Sequence, residues 1–464
     1  MRFCGFICCI SMLFMSLNGY ADERITRAEK MLYQQVSLLA LVDTDGKFVQ
    51  YKEALSINKL SSKELNQLES DIELFWSEHH IPIRNKGLTE ISDPFVRAMG
   101  LEPQLNGYLQ VQNRIRHLQW LAEQDWWQPI IIDGLIRPGT NHPVIPVIVK
   151  RLWLLGDAKS AVTESTVLNE DIVDALKRFQ QRHGLKADGI IGPETVKWLN
   201  VPPEQRASIL AKNYIQRAEF MAQRDERFLV INIPAFEMEL FNKGKVELFS
   251  RVIVGKPYRP TPLLSSSISN VVINPSWRVP KTILHKDLLP QVRKDGNYIA
   301  TRNFDVFDRN NNLVVRTPQQ WSDLARGPFP FRFVQRPGRT NTLGRYKFYF
   351  PNDFSVYLHD TADPNLFERS NRALSSGCIR VENVEGLANW MAANLVKDKQ
   401  TWVDRHADRN RTQWFALNAT LNVHLVYWTA WIDASNQTQF RNDIYQIRAA
   451  TSFADTASAQ INDL

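Results

Sequence analysis

Two residues with side chains suited to acyl transfer lie close together in the C-terminal part of the sequence. Cys378 belongs to the stretch RALSSGCIRVEN, and His359 ends the run SVYLH nineteen residues before it. A thiol attacks as the thiolate, so it needs a lowered pKa or a neighbouring base, and imidazole is the usual base. Strand alternation puts Tyr357 and His359 on one face. The pair predicts nucleophilic catalysis, and the alternative is an inert thiol and a half-buried strand histidine.

The residues around Cys378 favour a reactive thiol. Gly377 lets the chain turn tightly beside it, and acyl transfer needs backbone N–H groups aimed at the oxyanion, the charged oxygen of the intermediate. Ser375 and Ser376 can hold such a turn through their hydroxyls. Arg380 faces the same side as Cys378 in an extended chain, where it either holds a substrate carboxylate or forms a structural ion pair.

The N-terminus has the pattern of a secretory signal peptide. Residues 1–21 pair a basic start with an uncharged apolar run, and they end in small residues that favour cleavage after Ala21. An uncleaved membrane anchor and a lipid-modified cysteine are the alternatives, but the apolar run is short for a span. The pattern predicts an exported protein.

Cleavage would change the cysteine content of the chain. Three of its four cysteines, Cys4, Cys8 and Cys9, lie within the predicted signal peptide. The exported protein would keep Cys378 alone, which excludes an internal disulfide and a cysteine-rich metal site. An unpaired thiol in an oxidising compartment is either buried and inert or chemically required.

Composition sets broad limits on the class of protein. The 464 residues predict two or three domains, and 44% hydrophobic residues are ordinary for a folded soluble protein. The net charge of +7 is not gathered into basic runs, which argues against nucleic-acid binding. A weak attraction to an anionic polymer or membrane surface is compatible with it.

The pattern of apolar residues changes along the chain from helical to strand-like. Apolar residues recur at spacings of three and four up to about residue 227, and short alternating runs follow. A helical and Pro/Gly-punctuated segment interrupts the strands and is predicted to be an insertion of the kind that forms lids. The predicted ranges are a helical scaffold (22–141 and 201–227), a small module (142–200), a β-rich domain (228–450) with its insertion (281–340), and a polar tail (451–464).

The segment 142–200 resembles the three-helix peptidoglycan-binding domain. Asn169 is a predicted N-cap, Gly184 a predicted helix stop, and Asp188-Gly189 and Gly192-Pro193-Glu194-Thr195 match the recurrent turn and cap of that domain. These residues are mostly structural. The resemblance therefore supports a location at the cell wall, and a helical module without affinity for the wall is the alternative.

The stretch YLHDTADPNLFERSNRALSSGCIRVEN resembles the active-site motif of L,D-transpeptidases. Many members carry histidine before the motif glycine, whereas this chain has Ser376, as the large periplasmic members do. VINIPAFEMELF, VIVGKPYRPTPLLSSSISNVVINPSW and RTNTLGRYKFYFPN resemble the same catalytic domain, and 281–340 resembles the substrate-capping subdomain. The predicted fold class is a multidomain α+β protein: a helical scaffold, a three-helix module and a sandwich-like β-rich catalytic domain.

The resemblance implies a transferase that uses a cysteine nucleophile in peptidoglycan and cell-wall biogenesis, with a role in cell shape. Cys378 would attack the bond before the terminal D-Ala of a tetrapeptide stem, and His359 would take the thiol proton. The N–H groups of Gly377 and Cys378 would form the oxyanion hole, and the backbone carbonyl of Asp360 would orient the histidine. An amine of a second stem would then give a 3→3 cross-link.

The resemblance further implies a periplasmic enzyme without metal or organic cofactor, whose partners are donor and acceptor stems. Carbapenems would acylate Cys378. Trp277, Tyr346, Phe348 and Tyr357 are candidates for lining the groove, although strand aromatics are more often core residues.

Three other outcomes are compatible with the same residues. Water could resolve the acyl-enzyme, which would make an L,D-carboxypeptidase, or a free D-amino acid could give exchange. A variant would transfer the stem to a lysine of a surface protein. A non-catalytic wall-binding scaffold would be expected to lack the cysteine, histidine or glycine, and all three are present.

Overall fold

The computed structural model describes seven stretches of the chain, and the predicted signal peptide and polar tail lie outside them. They are residues 27–43, 45–57, 59–85, 91–124, 126–161, 164–408 and 411–447. These stretches form two compact units. No helix within them is long and apolar enough to cross a membrane.

The first unit is helical and contains the described residues up to Arg224, together with Thr429–Asn442. Its first helix, α1, covers residues 27–39. The others are α2 (Lys47–Ser56), α3 (Ser62–Glu78), α4 (Pro94–Gly100), α5 (Tyr108–Ala122), α6 (Ile145–Leu154), α7 (Glu170–Arg182), α8 (Pro193–Asn200) and α9 (Pro203–Ala222).

Helix starts in this unit follow from local sequence. Ser61 and Glu64 form a capping box at the start of α3, and the Asn169 side chain accepts a hydrogen bond from the Ile172 N–H at the start of α7. On α7, the apolar face with Leu176 and Phe179 is fully buried, as its spacing predicts.

The second unit, Asp225–Trp428 with residues 443–445, is built on a nine-stranded sheet. The strand order is β10-β3-β11-β9-β8-β4-β12-β1-β2, and β2 also pairs with β3, so the sheet closes into a ring. Closure satisfies edges that would otherwise be open. The strands are β1 (Arg227–Asn232), β2 (Glu237–Asn242), β3 (Lys245–Gly255), β4 (Leu264–Ile273), β8 (Tyr346–Tyr349), β9 (Leu358–His359), β10 (Ala373–Ser375), β11 (Ile379–Val381) and β12 (Gln413–Val426).

Helical segments before β10 and after β11 complete this unit. They are a 3₁₀ turn (Pro364–Glu368), α14 (Val384–Leu395) and α15 (Lys399–Ala407). The Asn383 side chain caps α14 by accepting from the Gly386 N–H, and Leu387 and Met391 on this helix are fully buried.

An insertion with its own small sheet interrupts the strand order between β4 and β8. Its strands pair in the order β5-β7-β6. An apolar cluster that includes Trp277, Val292 and Phe333 fills it. Its elements are β5 (Trp277–Arg278), α10 (Lys281–Ile283), a π-helical turn (Leu284–Leu288), α11 (Leu289–Lys294), α12 (Tyr298–Thr301), β6 (Phe304–Phe307), α13 (Pro318–Leu324) and β7 (Arg332–Gln335).

The last hairpin packs differently from the sequence expectation. Strands β13 (Ala430–Ile432) and β14 (Thr438–Phe440) pair only with each other. Ala430 and Phe440 bury their side chains in the helical core, so Thr429–Asn442 belongs to the helical unit and not to the β-rich domain predicted for 228–450. The reason is physical: an isolated hairpin is stabilised by whichever apolar surface covers it.

Candidate active site

Strand register brings the predicted nucleophile and base to one face of the sheet. On β9, His359 pairs with Lys347 of β8 on one side and with Arg380 of β11 on the other. Directly paired residues point their side chains to the same face, and so do residues two apart along a strand. Cys378 and Tyr357 precede Arg380 and His359 by two positions, and the Ile379 N–H donates to the Tyr357 carbonyl at 3.1 Å.

His359 is held in the tautomer that a general base requires. Its side chain is 3% exposed, and Nδ1 lies 2.5 Å from the carbonyl oxygen of Asp360. Nδ1–H therefore donates to that carbonyl, which leaves the lone pair of Nε2 to accept a proton. Burial, then the positive charge of Arg380, lowers the pKa of His359 to about 3. The imidazole is thus neutral in the resting site.

Cys378 is partly exposed, and its surroundings have opposite effects on the pKa of its thiol. Its limited access to solvent raises the pKa of the thiol, whereas hydrogen bonds with Tyr357 and the charges of Lys347 and Arg380 lower it. Cys378 Sγ lies 4.0 Å from the Ser355 carbonyl oxygen. Its contacts in the described structure include no hydrogen bond to His359.

The turn before the thiol is held by buried hydrogen bonds. Gly377 has a φ of 117°, a conformation that favours glycine. Its N–H donates to Ser375 Oγ at 3.1 Å, and its carbonyl accepts from Thr261 Oγ1 at 2.7 Å. Ser375 Oγ in turn donates to the Cys378 carbonyl at 2.5 Å. The Gly377 N–H is therefore occupied, whereas the Cys378 N–H has no partner among the described residues.

Two segments of the chain match models of known domain families. Residues 226–404 match the L,D-transpeptidase catalytic domain, and residues 141–199 match a family described as "Putative peptidoglycan binding domain". The first segment contains the paired residues Lys347, His359 and Arg380 and the turn before Cys378. This chain carries an L,D-transpeptidase catalytic domain.

Individual relatives cover only part of the chain. A "Putative L,D-transpeptidase" of Haemophilus influenzae is 37% identical over 212 residues, which is 45% of this chain. The match spans 42% of that relative's length. Solved L,D-transpeptidases from Mycobacterium smegmatis (12% identity, TM-score 0.22, 43% of this chain and 58% of the other) and Stackebrandtia nassauensis (12%, 0.23, 64% and 97%) are more distant.

Arg380 is a half-buried cation without a counter-ion in the described part of the L,D-transpeptidase domain. Its guanidinium forms no ion pair there, and its buried Nε has no hydrogen-bond partner. Burial lowers the pKa of Arg380, and the charge of Asp363 opposes that effect from beyond contact distance. The structure thus provides an open cation on the same face as Cys378.

Two of the predicted groove aromatics meet at the thiol. The Tyr357 side chain shares hydrogen bonds with Cys378 and with Trp277 of β5, and burial raises the pKa of Tyr357 well above its ordinary value. Trp277 is 7% exposed and belongs to the cluster of the insertion. The insertion therefore reaches Cys378 through this pair of aromatic residues.

The other two aromatics lie elsewhere. Tyr346 and Phe348 flank Lys347 on β8, so strand alternation turns both to the opposite face, where both are fully buried. The Tyr346 hydroxyl contacts His406 Nε2. The structure does not bring either ring to Cys378.

Ser376, in the position where many relatives carry histidine, connects the turn to the insertion. Its hydroxyl accepts from the Arg259 guanidinium at 2.9 Å. Arg259 also forms an ion pair with Asp287 at 2.5 Å, and Asp287 lies in the π-helical turn of the insertion. Ser375 and Ser376 thus both hold the turn, one from inside and one from the surface.

Two further side chains complete the surroundings of the histidine. The Asp360 carboxylate accepts from the N–H groups of Arg345 and Thr361, each at 2.7 Å, so it holds backbone while its carbonyl orients His359. Lys347 was not singled out from the sequence, because only the pairing of β8 with β9 places it beside the histidine. No cluster of three or more His, Cys, Asp or Glu side chains in the described stretches could hold a metal ion.

Proposed function

We propose that this protein forms 3→3 peptidoglycan cross-links through a Cys378 thioester. The observation that carries the proposal is the arrangement on one sheet face of a thiol, a neutral imidazole with Nε2 open and an unpaired cation. The family matches of residues 226–404 and 141–199 support peptidoglycan as the substrate.

In the acylation step, the groups around the turn act one after another. Cys378 Sγ attacks the carbonyl between the third stem residue and D-Ala, and the thiol proton passes to His359 Nε2. The open N–H of Cys378 donates to the oxyanion. The carbon–nitrogen bond then breaks, His359 returns the proton to the leaving D-Ala amine, and a thioester remains on Cys378.

Substrate binding would strengthen the base. The D-Ala carboxylate binds the unpaired Arg380 guanidinium by charge-assisted hydrogen bonds. Because the charge of Arg380 depresses the pKa of His359, an anion placed on Arg380 raises that pKa. The imidazole therefore accepts a proton more readily in the complex than in the free enzyme.

The second half-reaction decides between the possible products. An amine of another stem attacks the thioester, forms the new amide and releases the Cys378 thiol. Water would give a tripeptide and a free D-amino acid would give exchange. The insertion is joined to the turn by Arg259 and Asp287. It supports a peptide acceptor because it can cover a second peptide stem.

The proposed site of action is the periplasm, at the cell wall. The match of residues 141–199 supports association with the wall, and the sequence of residues 1–21 supports export. Carbapenems, which carry an acylating ring carbonyl, would form their adduct on Cys378.

Incubation of the purified protein with disaccharide-tetrapeptides, followed by mass spectrometry, tests the proposal. A 3→3 linked dimer together with released D-Ala is the expected product, and Cys378→Ala should give none while its circular dichroism stays unchanged. Tripeptide alone or exchanged tetrapeptide would replace cross-linking by one of the other outcomes. Full activity of Cys378→Ala would overturn the thioester.

A further inference from the structure

Lys347 is a half-buried ammonium group on the active-site face of the sheet. It pairs in register with His359, and its Nζ lies 3.8 Å from the centre of the Tyr357 ring. The Tyr357 side chain is itself hydrogen bonded with Cys378. Lys347 thus stands one aromatic ring away from the nucleophile, where the ring face attracts a cation.

The described structure gives Lys347 no carboxylate partner. It forms no ion pair there, and its burial lowers the pKa of its ammonium group. Taking a cation out of water without an anion costs free energy. The group whose negative charge favours the protonated lysine is Cys378 in its thiolate form.

The other groups that face Cys378 leave this role open. Tyr357 donates a hydrogen bond but keeps its proton, because burial raises the pKa of its phenol. His359 is neutral and gives its Nδ1 proton to the Asp360 carbonyl. Arg380 is cationic, but it lies two residues along β11 and is the open group for a substrate carboxylate.

We propose that Lys347 is a positioning residue that stabilises the Cys378 thiolate. In the free enzyme the counter-ion of the thiolate is then the Lys347 ammonium group and not an imidazolium. The proposal rests on the proposed function only in taking Cys378 as the nucleophile. In the free enzyme the thiol proton leaves Sγ for solvent, Lys347 keeps its own proton, and His359 stays neutral. In the substrate complex, where a carboxylate bound to Arg380 makes the imidazole a stronger base, the thiol proton passes to His359 Nε2 and from there to the leaving amine.

Alkylation by iodoacetamide at a series of pH values tests this without any substrate. The reagent is neutral, so its rate reports the thiolate fraction and not attraction to the cationic site. Lys347→Gln is expected to move the midpoint of the rate profile to higher pH and to slow alkylation about tenfold below it. Lys347→Arg should stay within about threefold of the parent protein, since it keeps the charge.

Lys245→Gln is the matched control, because Lys245 is an exposed lysine at the start of β3 in the same unit. Its midpoint should equal that of the parent protein. An unchanged midpoint in a folded Lys347→Gln protein would overturn the proposal. If the parent protein forms no cross-linked dimer while Lys347→Gln still shows the expected shift in midpoint, the proposed function fails and the role of Lys347 stands, so the two failures are distinguishable.

A measurement on the unaltered protein covers the case in which Lys347→Gln does not fold. Nitrogen-15 spectra of the histidine rings, with His359 assigned by its absence in His359→Gln, are recorded across the pH range of thiol ionisation. His359 is expected to remain neutral while Cys378 ionises. The appearance of an imidazolium signal in step with the thiolate would identify His359 as the counter-ion and refute the role of Lys347.

Discussion

At the scale of single residues, the site combines a neutral imidazole with two cations that have no carboxylate partner among the described residues. Lys347 and Arg380 lie on either side of His359, and both of their charges depress the pKa of the imidazole. A nucleophile placed among cations can ionise without a charged histidine. The arrangement also favours an anionic ligand, since a carboxylate would relieve the repulsion between these groups.

The Ser375 hydroxyl should matter far more for stability than the Ser376 hydroxyl. Ser375→Ala leaves the buried Gly377 N–H and the Cys378 carbonyl without their partner. We expect the free energy of unfolding to fall by about 1–3 kcal/mol, measured by urea denaturation, with a matching loss of acylation rate.

Ser376→Ala is the paired control for this prediction. It removes one exposed hydrogen bond to Arg259, so its free energy of unfolding should fall by less than about 1 kcal/mol. Equal losses in the two variants would contradict the view that Ser375 holds the turn from inside.

Part of the site could be predicted from single residues, and part could not. Alternation along SVYLH puts Tyr357 and His359 on one face, and the turn at Gly377 follows from local sequence. Lys347 could not be found this way, because RYKFYF leaves open which set of alternating residues faces the site. That choice depends on the register between β8 and β9, which are separated by a loop of irregular structure.

At the scale of elements, the insertion and the turn before Cys378 are connected by one ion pair. Arg259 contacts both Ser376 and Asp287, and Trp277 contacts Tyr357 from the small sheet. Elements that move over an active site are commonly held by few contacts. The bond between Arg259 and Asp287 is therefore a candidate for controlling how the insertion opens.

Asp287→Asn should loosen the insertion without unfolding the protein. Partly exposed ion pairs contribute little to stability, so the free energy of unfolding should change by less than about 1 kcal/mol. We expect amide hydrogen exchange in residues 281–294 to become several-fold faster, read by mass spectrometry of peptides.

Asp305→Asn is the control for this variant, because Asp305 pairs with Arg336 inside the insertion and does not reach the turn. Its exchange in residues 281–294 should match that of the parent protein. If both variants exchange alike, the bridge to Arg259 does not hold the insertion.

At the scale of the whole molecule, the chain passes between its two units more than once. It enters the second unit, built on the nine-stranded sheet, at Asp225, leaves it after Trp428, and returns for residues 443–445. The sequence places the hairpin of 429–442 with the β-rich domain because its residues favour strands. Which core the hairpin packs against is decided by distant helices, and local propensity carries no information about that.

The returning segment, residues 443–445, supports the turn before Cys378. The Tyr445 hydroxyl donates to the Gly255 carbonyl at 2.7 Å and accepts from the Thr261 N–H at 3.1 Å. Thr261 Oγ1 in turn donates to the carbonyl of Gly377. Tyr445→Phe should lower the free energy of unfolding by about 1–3 kcal/mol and slow acylation of Cys378.

Tyr349→Phe is the comparison, because Tyr349 is 40% exposed on β8 in the same unit. Urea denaturation should show almost no change for it. A Tyr445→Phe protein as stable and as reactive as the parent would show that residues 443–445 do not support the turn. The same contacts imply that a protein cut after Trp428 would lose residues 443–445, which belong to the second unit.

The single thiol near the surface would allow the fraction of protein molecules with an intact Cys378 to be measured directly. If the chain is cleaved after Ala21, Cys378 is the only sulfhydryl left, and it is partly exposed. A colorimetric thiol reagent would then titrate Cys378 directly, one thiol per chain, with no background from other cysteines. Any shortfall from one equivalent would measure the fraction lost to oxidation, so specific activity could be stated per working site in every preparation.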